Sequence, residues 1–171
     1  YALKEKLDAI EPLVLTIRVG GNDLCHVFGF RRHVTQSIHD IRPISDIFSD
    51  IITVFGMDYV ISGPVWEYYN GSGWDSGLKA ELAQDRLCGF TGKTVIHPNQ
   101  IPLVNDAYRV SKEDYEDAKA ILHWEKTAPS LVHGNVKKAR MNECKTHSNW
   151  AMQILMLGEA FGVVDSESSA L

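Results

Sequence analysis

The chain has 171 residues, of which 44% are hydrophobic and 23% charged, with 13 Gly, 6 Pro and 3 Cys. This composition excludes a disordered, collagen-like or disulfide-framework protein. The net charge of −5, from 22 acidic and 17 basic residues, disfavours a general nucleic-acid binder. A membrane helix needs about 18 consecutive apolar residues, and the most apolar stretch, residues 41–61, is interrupted by three Asp.

The three cysteines, Cys25, Cys88 and Cys144, are odd in number and contain no CxxC pair. This pattern favours reduced thiols in a cytoplasmic protein over a set of structural disulfides. A zinc site built from Cys144, His147 and His133 would lack a fourth ligand and the usual ligand spacing, so we do not expect one.

Helices and strands alternate along the first two thirds of the chain. The apolar pattern predicts a helix over residues 1–10 and then a β-branched strand over residues 13–19, covered on both faces. The later expected elements are helices at 45–55, 78–87, 101–108 and 112–124, and strands at 58–62 and 93–96. Such alternation indicates an α/β fold with a parallel sheet.

The last third of the chain has a different pattern. Residues 127–136 contain Pro, Gly and Asn, which predicts a linker, and residues 141–161 carry a helical stripe. We therefore divide the chain into residues 1–126 and a linker with a C-terminal helical tail, residues 127–171.

The strand ends are where chemistry is expected, because ligands of parallel α/β folds bind at the carboxyl ends of the strands. Gly20 and Gly21 follow the first strand and would leave backbone N–H groups free for anionic oxygens. Asp23 is either a Mg²⁺ ligand or a cap of the next helical turn. His97, at the end of the third strand, is either a site residue or a packed residue before a proline. The triplet at 92–94 (GKT) lacks the upstream glycine of a phosphate loop.

Polar residues also gather before the C-terminal helical stripe. Glu143, His147 and Trp150 are spaced for one helical face, as are Lys145 and Asn149. Such a group is either a solvated helix start or a lid that presents an acid/base pair to a pocket.

Four segments resemble one family. Residues 92–101 (GKTVIHPNQI) and 18–24 (RVGGNDL) resemble motifs of the HpcH/HpaI aldolase and citrate lyase beta-subunit superfamily. Residues 58–67 (DYVISGPVWE) and 141–150 (MNECKTHSNW) are similar to segments of its citrate-lyase-like branch, the C–C bond lyases of the TIM-barrel fold, often encoded near tellurium-resistance functions.

The resemblance implies the C-terminal portion of a (β/α)8 barrel, with the last three strand-helix units and a C-terminal helical tail. It implies a Mg²⁺-dependent lyase that cleaves a small 3-hydroxy acid, or its acyl thioester, through a metal-stabilised enolate. Asp23 matches the metal-binding Asp of the superfamily. The metal-ligand Glu and a substrate-binding Arg of the superfamily are expected before Tyr1.

The resemblance also supplies expectations for the remaining site residues. The acid/base candidates are Glu143, Lys145 and His147. The candidate substrate-binding residues are those of the strand ends: Arg18, Gly20, Gly21, Asn22, Gly63, Pro64, Trp66 and His97. The expected partners are a small carboxylic acid, either free or as a coenzyme A thioester, and further copies of the chain in a homo-oligomer.

Two other functions remain open at this point. The same scaffold could hydrolyse an acyl thioester, which would release a free thiol rather than a keto acid or aldehyde. Alternatively, the basic segment 137–140 could bind nucleic acid or a protein partner without catalysis, although four basic residues between 137 and 145 are few for that purpose.

Overall fold

The computed structural model describes residues 2–124, 132–135 and 137–165. Its contacts divide the chain into two compact units, Tyr1–Ala107 and Tyr108–Leu171. The predicted boundary near residue 127 falls among residues 125–131, which lie outside the described part of the chain, so that boundary stays a prediction.

The first unit is built on a parallel sheet. Its three strands are β1 (Ile17–Arg18), β2 (Ile61–Gly63) and β3 (Gly92–Lys93), in the order β1-β2-β3. Ile17 pairs with Ile61, and Gly63 pairs with Lys93. The predicted α/β class with parallel strands is thus confirmed, although each strand is shorter than the apolar run that predicted it.

Helices connect and flank these strands. They are α1 (Ala2–Asp8), α2 (Gly21–Phe28), α3 (Arg42–Phe55), α4 (Trp74–Cys88) and α5 (Gln100–Ala107), with 3-10 turns at Glu11–Leu13 and Ile38–Asp40. The helices α3 and α4 both end at a glycine, Gly56 and Gly89, and the latter adopts a φ of 101°. The core between helices and sheet contains Val19, Cys25, Ile38, Ile44, Phe48, Ile61 and Phe90.

The prediction of a strand over residues 13–19 is wrong in its first half. Pro12 lies in the 3-10 turn Glu11–Leu13, and the strand begins only at Ile17. Leu13 and Leu15 precede β1 and are 81% and 90% exposed. The predicted cover on both faces is therefore absent at these two positions.

The second unit contains β4 (Val110–Ser111), α6 (Lys112–Leu122), β5 (Val132–Gly134), β6 (Met141–Glu143), α7 (Cys144–Phe161) and β7 (Val163–Val164). The strands β4 and β7 pair in parallel, and β5 and β6 form an antiparallel hairpin. The helices α6 and α7 pack closely, since a Cβ at Gly158 would lie 2.8 Å from the Tyr115 ring.

Two predictions for this unit need correction. Residues 132–134, expected in a linker, form β5, and residues 141–143, expected at the start of a helix, pair with it as β6. The helix expected to begin at residue 112 does begin there, and the Ser111 Oγ caps it by accepting a hydrogen bond from the Asp114 N–H at 3.0 Å.

Cys25, Cys88 and Cys144 are all free thiols, as predicted. Within the described residues, no helix is both long and apolar enough to cross a membrane.

Candidate functional site

The three strand ends form one edge of the sheet. Beyond β1, β2 and β3 lie residues 19–23, 64–69 and 94–100, which we call the rim. Because the three strands are parallel and adjacent, their carboxyl ends lie at the same edge. The predicted grouping of the three strand-end loops is therefore confirmed.

Gln100 ties the third rim loop to the second. Its side chain is 1% exposed, and its Nε2 donates to the carbonyl oxygens of Trp66 at 2.8 Å and Tyr68 at 2.9 Å. Its Oε1 accepts from the Ile96 N–H at 3.0 Å. Every polar group of this amide is thus used to hold backbone, which fixes the two loops relative to each other.

Gly21 ties the first loop to the second by close packing. A Cβ at this position would overlap Pro64 Cβ and lie 2.6 Å from Ile38 Cδ1, so only glycine fits without movement. The Gly21 N–H donates to the Val19 carbonyl at 3.1 Å. The expectation that this N–H is free for a ligand is therefore wrong: the residue serves the contact between loops.

Arg18 lies on the open face of the sheet, on the same side as Ser62 and Thr94. Its Nε donates to the Thr94 Oγ1 at 3.3 Å, and the Ser62 and Thr94 hydroxyl oxygens are 3.5 Å apart. The Arg18 residue is exposed and forms no ion pair with the described residues. Its guanidinium is consequently oriented by Thr94 while still able to bind a carboxylate.

Asp23 lies in the first turn of α2 and is exposed. Within the described part of the chain its carboxylate takes part in no hydrogen bond or ion pair, and the N-cap residue Gly20 has no side-chain cap. A Cβ at Gly20 would lie 2.5 Å from the Asp23 Oδ2, so this glycine makes room for the carboxylate. Among the described residues no hydrogen bond supports the interpretation that Asp23 caps a helical turn. The carboxylate is therefore able to bind a cation.

The rim fits a hard cation in part. Glu67, in the second rim loop, has an Oε2 that is buried without a hydrogen-bond partner among the described residues, and a cation or a proton would satisfy it. Mg²⁺ commonly binds one or two carboxylates and completes its shell with water and substrate oxygens. The described residues contain no cluster of three or more His, Cys, Asp or Glu that could hold a metal by itself.

His97 is held in a defined orientation. Its ring stacks on Tyr69 with 4.2 Å between centroids and 18° between planes. Its Nδ1 accepts from the Asn99 N–H at 3.2 Å, so the neutral ring carries its proton on Nε2. The residue is half-buried. It is therefore a packed residue whose Nε2–H is a hydrogen-bond donor at the rim.

The remaining rim candidates are support residues. Trp66 is 1% exposed, and its indole N–H donates to the Trp74 carbonyl at 3.1 Å. Gly63 and Pro64 are buried as well. The Asn22 Oδ1 accepts from Arg32 Nη2 at 3.4 Å. Their burial leaves Trp66, Gly63 and Pro64 to shape the rim rather than to touch a ligand directly.

Beneath the rim is a charged cluster that the sequence analysis missed. We call it the buried ion network, and it consists of Arg32, His39, Glu81, Asp85 and Lys93. Lys93 Nζ lies 2.9 Å from Glu81 Oε1 and 2.7 Å from Asp85 Oδ2. Arg32 Nη1 lies 2.5 Å from Glu81 Oε2, and His39 Nε2 lies 2.7 Å from Asp85 Oδ1.

The buried ion network connects distant parts of the first unit. The side chains of Arg32, Lys93, Glu81 and Asp85 are at most 1% exposed. Glu81 also accepts from the Ile38 N–H at 2.8 Å, and Arg32 donates to the Val65 carbonyl at 2.7 Å. The network thus joins β3, α4 and the segment before α3 to the second rim loop.

A helical spacing could have revealed this network. Glu81 and Asp85 are four residues apart, and they share a face of α4 with the buried Leu78 and Leu82. Acidic residues on the apolar face of a helix require buried cations. The spacing predicts that partners exist, but not that they are Lys93 and Arg32.

Glu143, Lys145 and His147 lie in the second unit. Glu143 ends β6 and is the N-cap residue of α7, and its N–H donates to the His147 Nδ1 at 2.9 Å. Lys145 is exposed. Glu143 therefore stands just outside the helix on which it was expected, yet it remains in direct contact with His147.

The basic segment 137–140 is paired with acidic residues. Lys137 Nζ lies 2.6 Å from Glu113 Oε2, and this hydrogen bond lowers the pKa of Glu113 below its usual value. The two terminal nitrogens of Arg140 lie 2.8 Å from Asp114 and 2.8 Å from Asp117. These internal ion pairs weigh against a nucleic-acid interface, which needs free cations.

This chain is similar in sequence to two known proteins and in structure to a third. The (3S)-malyl-CoA thioesterases of two Cereibacter sphaeroides strains are 42% and 40% identical to 48 residues, which is 28% of this chain and 17% of each relative. The structure is similar to that of the protein CitE from Mycobacterium tuberculosis, solved in complex with magnesium, acetoacetate and coenzyme A, with a TM-score of 0.59 and 21% identity. That similarity covers 85% of this chain.

The chain spans 52% of the CitE chain and a smaller part of the thioesterases. The match to a protein family covers far more of this chain. The family described as C–C bond lyases of the TIM-barrel fold matches residues 1–163. The chain belongs to this family of C–C bond lyases.

Proposed function

We propose that the protein is a Mg²⁺-dependent carbon–carbon lyase of the citrate lyase beta type, which cleaves a small 3-hydroxy acid or its acyl thioester. The observation that carries this proposal is the rim. Gln100, Gly21 and the buried ion network hold its loops together, so that Arg18 and Asp23 stand at the carboxyl edge of a parallel sheet. Lyase and aldolase sites on barrels occupy this edge.

The architecture that we propose is the C-terminal portion of a (β/α)8 barrel followed by a helical tail. The three parallel strands and their helices would be three of its strand-helix units. A barrel of this kind takes about 250 residues, and the TM-score of 0.59 with CitE supports the fold.

Substrate binding rests on Arg18 and His97. The Arg18 guanidinium, oriented by Thr94, would bind the carboxylate of the acid in a bidentate manner. His97 would donate its Nε2 proton to a substrate oxygen, because its Nδ1 is already engaged by Asn99. Gly20, which is exposed, and Asn22 would border the substrate at the start of α2, whereas Gly21 would act only through the packing of the two loops.

Asp23 would hold the metal ion, with Glu67 as a second carboxylate of the rim. When bound, Mg²⁺ would polarise the substrate oxygens and stabilise the negative charge that develops as the carbon–carbon bond breaks. The exposed position of Asp23 leaves room for water and substrate oxygens at the same ion.

The acid/base work falls to Glu143, Lys145 and His147 in this proposal. The Glu143 N–H occupies the His147 Nδ1, so proton exchange with a substrate would use the Nε2. The similarity to the (3S)-malyl-CoA thioesterases and to CitE, which was solved with acetoacetate and coenzyme A, supports a coenzyme A thioester as substrate.

A product assay tests the proposal. The full-length protein is incubated with Mg²⁺ and a panel of small 3-hydroxy acids and their coenzyme A thioesters, and the products are separated by mass spectrometry. We expect a keto acid or an aldehyde together with the shortened acid or thioester. Full conversion of a thioester to free thiol, with the carbon skeleton intact, would contradict carbon–carbon cleavage.

That contrary result would support a second function, the hydrolysis of an acyl thioester on the same scaffold. The segment of 48 residues that is 42% identical to a (3S)-malyl-CoA thioesterase favours this alternative. The two reactions would start from the same thioester and differ in the bond that breaks, so the same assay distinguishes them.

A further inference from the structure

A second constellation of reactive groups lies in the helical layer of the first unit. A cavity of about 230 Å³ is lined by His39, Ser45, Phe48, Ser49, Ile52, Thr53 and Cys88. It is formed by α3, by the end of α4 and by the 3-10 turn at Ile38–Asp40. None of these residues belongs to the rim.

The cavity wall holds a thiol and an imidazole, and a buried carboxylate lies behind the imidazole. The Cys88 Sγ lies 3.7 Å from the His39 Nδ1, and the His39 Nε2 lies 2.7 Å from the Asp85 Oδ1. Asp85 is fully buried and is held on its other oxygen by Lys93 at 2.7 Å. A nucleophile, a base and a group that orients the base are the three parts of a covalent catalytic site.

The contacts of His39 set its tautomer. Because Asp85 is a carboxylate acceptor, the His39 Nε2 carries the proton and the Nδ1 has a lone pair directed to the thiol. The His39 ring is further held by edge contacts with Phe48 and Phe90, with centroids 5.5 Å and 6.1 Å away. The base is therefore fixed in place, while Cys88 is exposed to solvent.

We infer that Cys88 is an acyl-accepting thiol, with His39 as its general base and a small acyl thioester as the donor. The apolar side chains of Phe48 and Ile52 would contact the acyl chain, and the hydroxyls of Ser45 and Thr53 are donors for the carbonyl oxygen.

The step balances without a further reactant. The Cys88 Sγ attacks the thioester carbonyl carbon as its proton moves to the His39 Nδ1. A new carbon–sulfur bond forms, the carbon–sulfur bond of the donor breaks, and the departing thiolate takes the proton back from the Nδ1. The acyl group has then moved to Cys88, and one free thiol is released.

The state of the thiol distinguishes this step from oxidation. Although the residue is exposed, partial desolvation of its Sγ raises the pKa of the Cys88 thiol, and the Asp85 charge adds to this effect. Oxidants react with thiolates, whereas attack on a carbonyl can use a neutral thiol when a base removes its proton during the step. The geometry with His39 supplies that base.

The experiment uses the full-length protein and the acetyl thioester of N-acetylcysteamine, a small uncharged donor. Acetylation of each cysteine is followed by peptide mass spectrometry at neutral pH. Cys144 serves as the reference thiol, and Cys25, which is 6% exposed, reports on the fold. We expect Cys88 to be acetylated at least about tenfold faster than Cys144, as an effective general base would provide.

His39→Gln retains an amide that can donate to Asp85 but removes the base. It should slow acetylation of Cys88 about tenfold or more, while Cys144 keeps its rate and Cys25 stays unmodified. Equal rates at Cys88 and Cys144 in the natural sequence would overturn the inference, and so would an unchanged Cys88 rate in a folded His39→Gln variant. If that variant exposes Cys25, the comparison of Cys88 with Cys144 in the natural sequence decides alone.

This inference stands apart from the proposed lyase activity. Asp23→Ala should leave the acetylation of Cys88 unchanged, since Asp23 takes no part in the cavity. Loss of lyase activity and loss of Cys88 acetylation are consequently separate outcomes.

Discussion

Lys93 shows how a residue can belong to a recognisable motif and have a role that the motif does not reveal. It lies in the GKT triplet at residues 92–94, which fits no phosphate loop. In the structure its side chain is 1% exposed, and its Nζ contacts two carboxylates, Glu81 and Asp85. A buried ammonium group is stable only when it is paired and hydrogen-bonded.

Lys93→Met should therefore destabilise the first unit strongly. Removing one partner leaves Glu81 and Asp85 with an uncompensated buried charge, which costs about 3–5 kcal/mol. The free energy of unfolding, measured in urea by tryptophan fluorescence, checks this value. Lys79→Met, on α4 together with Glu81 and Asp85, is the control and should change stability by less than about 0.5 kcal/mol. Similar losses for both variants would contradict the role of the buried ion network.

Gly21 provides a second test at the level of one residue. Its neighbours Pro64 and Ile38 leave no room for a Cβ, so Gly21→Ala should cost about 1–3 kcal/mol through overpacking. Gly92→Ala is the control, because the nearest atom to its Cβ would be the Ser62 hydroxyl at 3.9 Å. We expect a clear fall in melting temperature for the first variant and a small change for the second. A Gly21→Ala protein as stable as the natural one would show that the two loops can separate freely.

The elements were easier to predict in kind than in extent. The apolar periodicity of α3, α4 and α7 correctly predicted that they are helices, because this periodicity does not depend on the details of packing. The strand over residues 13–19 was overestimated, because an apolar run does not show which residues the neighbouring strands will cover. The hairpin of β5 and β6 was missed because it is only three residues long on each side and contains Gly134.

The docking of α1 depends on protonation. Lys4 Nζ lies 2.9 Å from both Asp8 Oδ2 and Asp58 Oδ2, and the Tyr59 hydroxyl donates to Asp8 Oδ1 at 2.7 Å. The hydrogen bond from Lys4 lowers the pKa of Asp8, and the bond from Tyr59 acts in the same direction. Burial, followed by the bond to Asp8, raises the pKa of Tyr59 to about 12, so this phenol remains a donor at neutral pH.

Acid should consequently loosen this element. The pKa of Asp8 is lower in the folded chain than the value of about 3.9 in an unfolded one. Its contribution to stability is thus complete above that pH and is lost as the pH falls through the folded-state pKa. Asp8→Asn should flatten the decline of the unfolding midpoint between about pH 5 and about pH 2. Asp46→Asn, which breaks an exposed pair with Arg42, should leave the decline as steep as in the natural sequence.

At the scale of the whole molecule, the sequence was most informative about family and about where chemistry would gather. The strand-end loops could be predicted to meet, because parallel strands place their carboxyl ends together. The cationic partners of Glu81 and Asp85 could not, because Arg32, His39 and Lys93 lie in other segments of the chain than α4. The acid/base role of Glu143, Lys145 and His147 stays a prediction, since those residues belong to a unit of their own.

The central claim is that the rim binds Mg²⁺ through Asp23, and titration calorimetry of the full-length protein with Mg²⁺ tests it most directly. The comparison is between the natural sequence, Asp23→Ala and Asp75→Ala, since Asp75 is likewise an exposed acid in the first turn of a helix. We predict that Asp23→Ala weakens binding at least about tenfold, the size of effect that mutations around a metal site produce, while Asp75→Ala binds as the natural sequence does. Unchanged Mg²⁺ affinity in a folded Asp23→Ala protein would contradict the metal role and, with it, the proposed lyase mechanism.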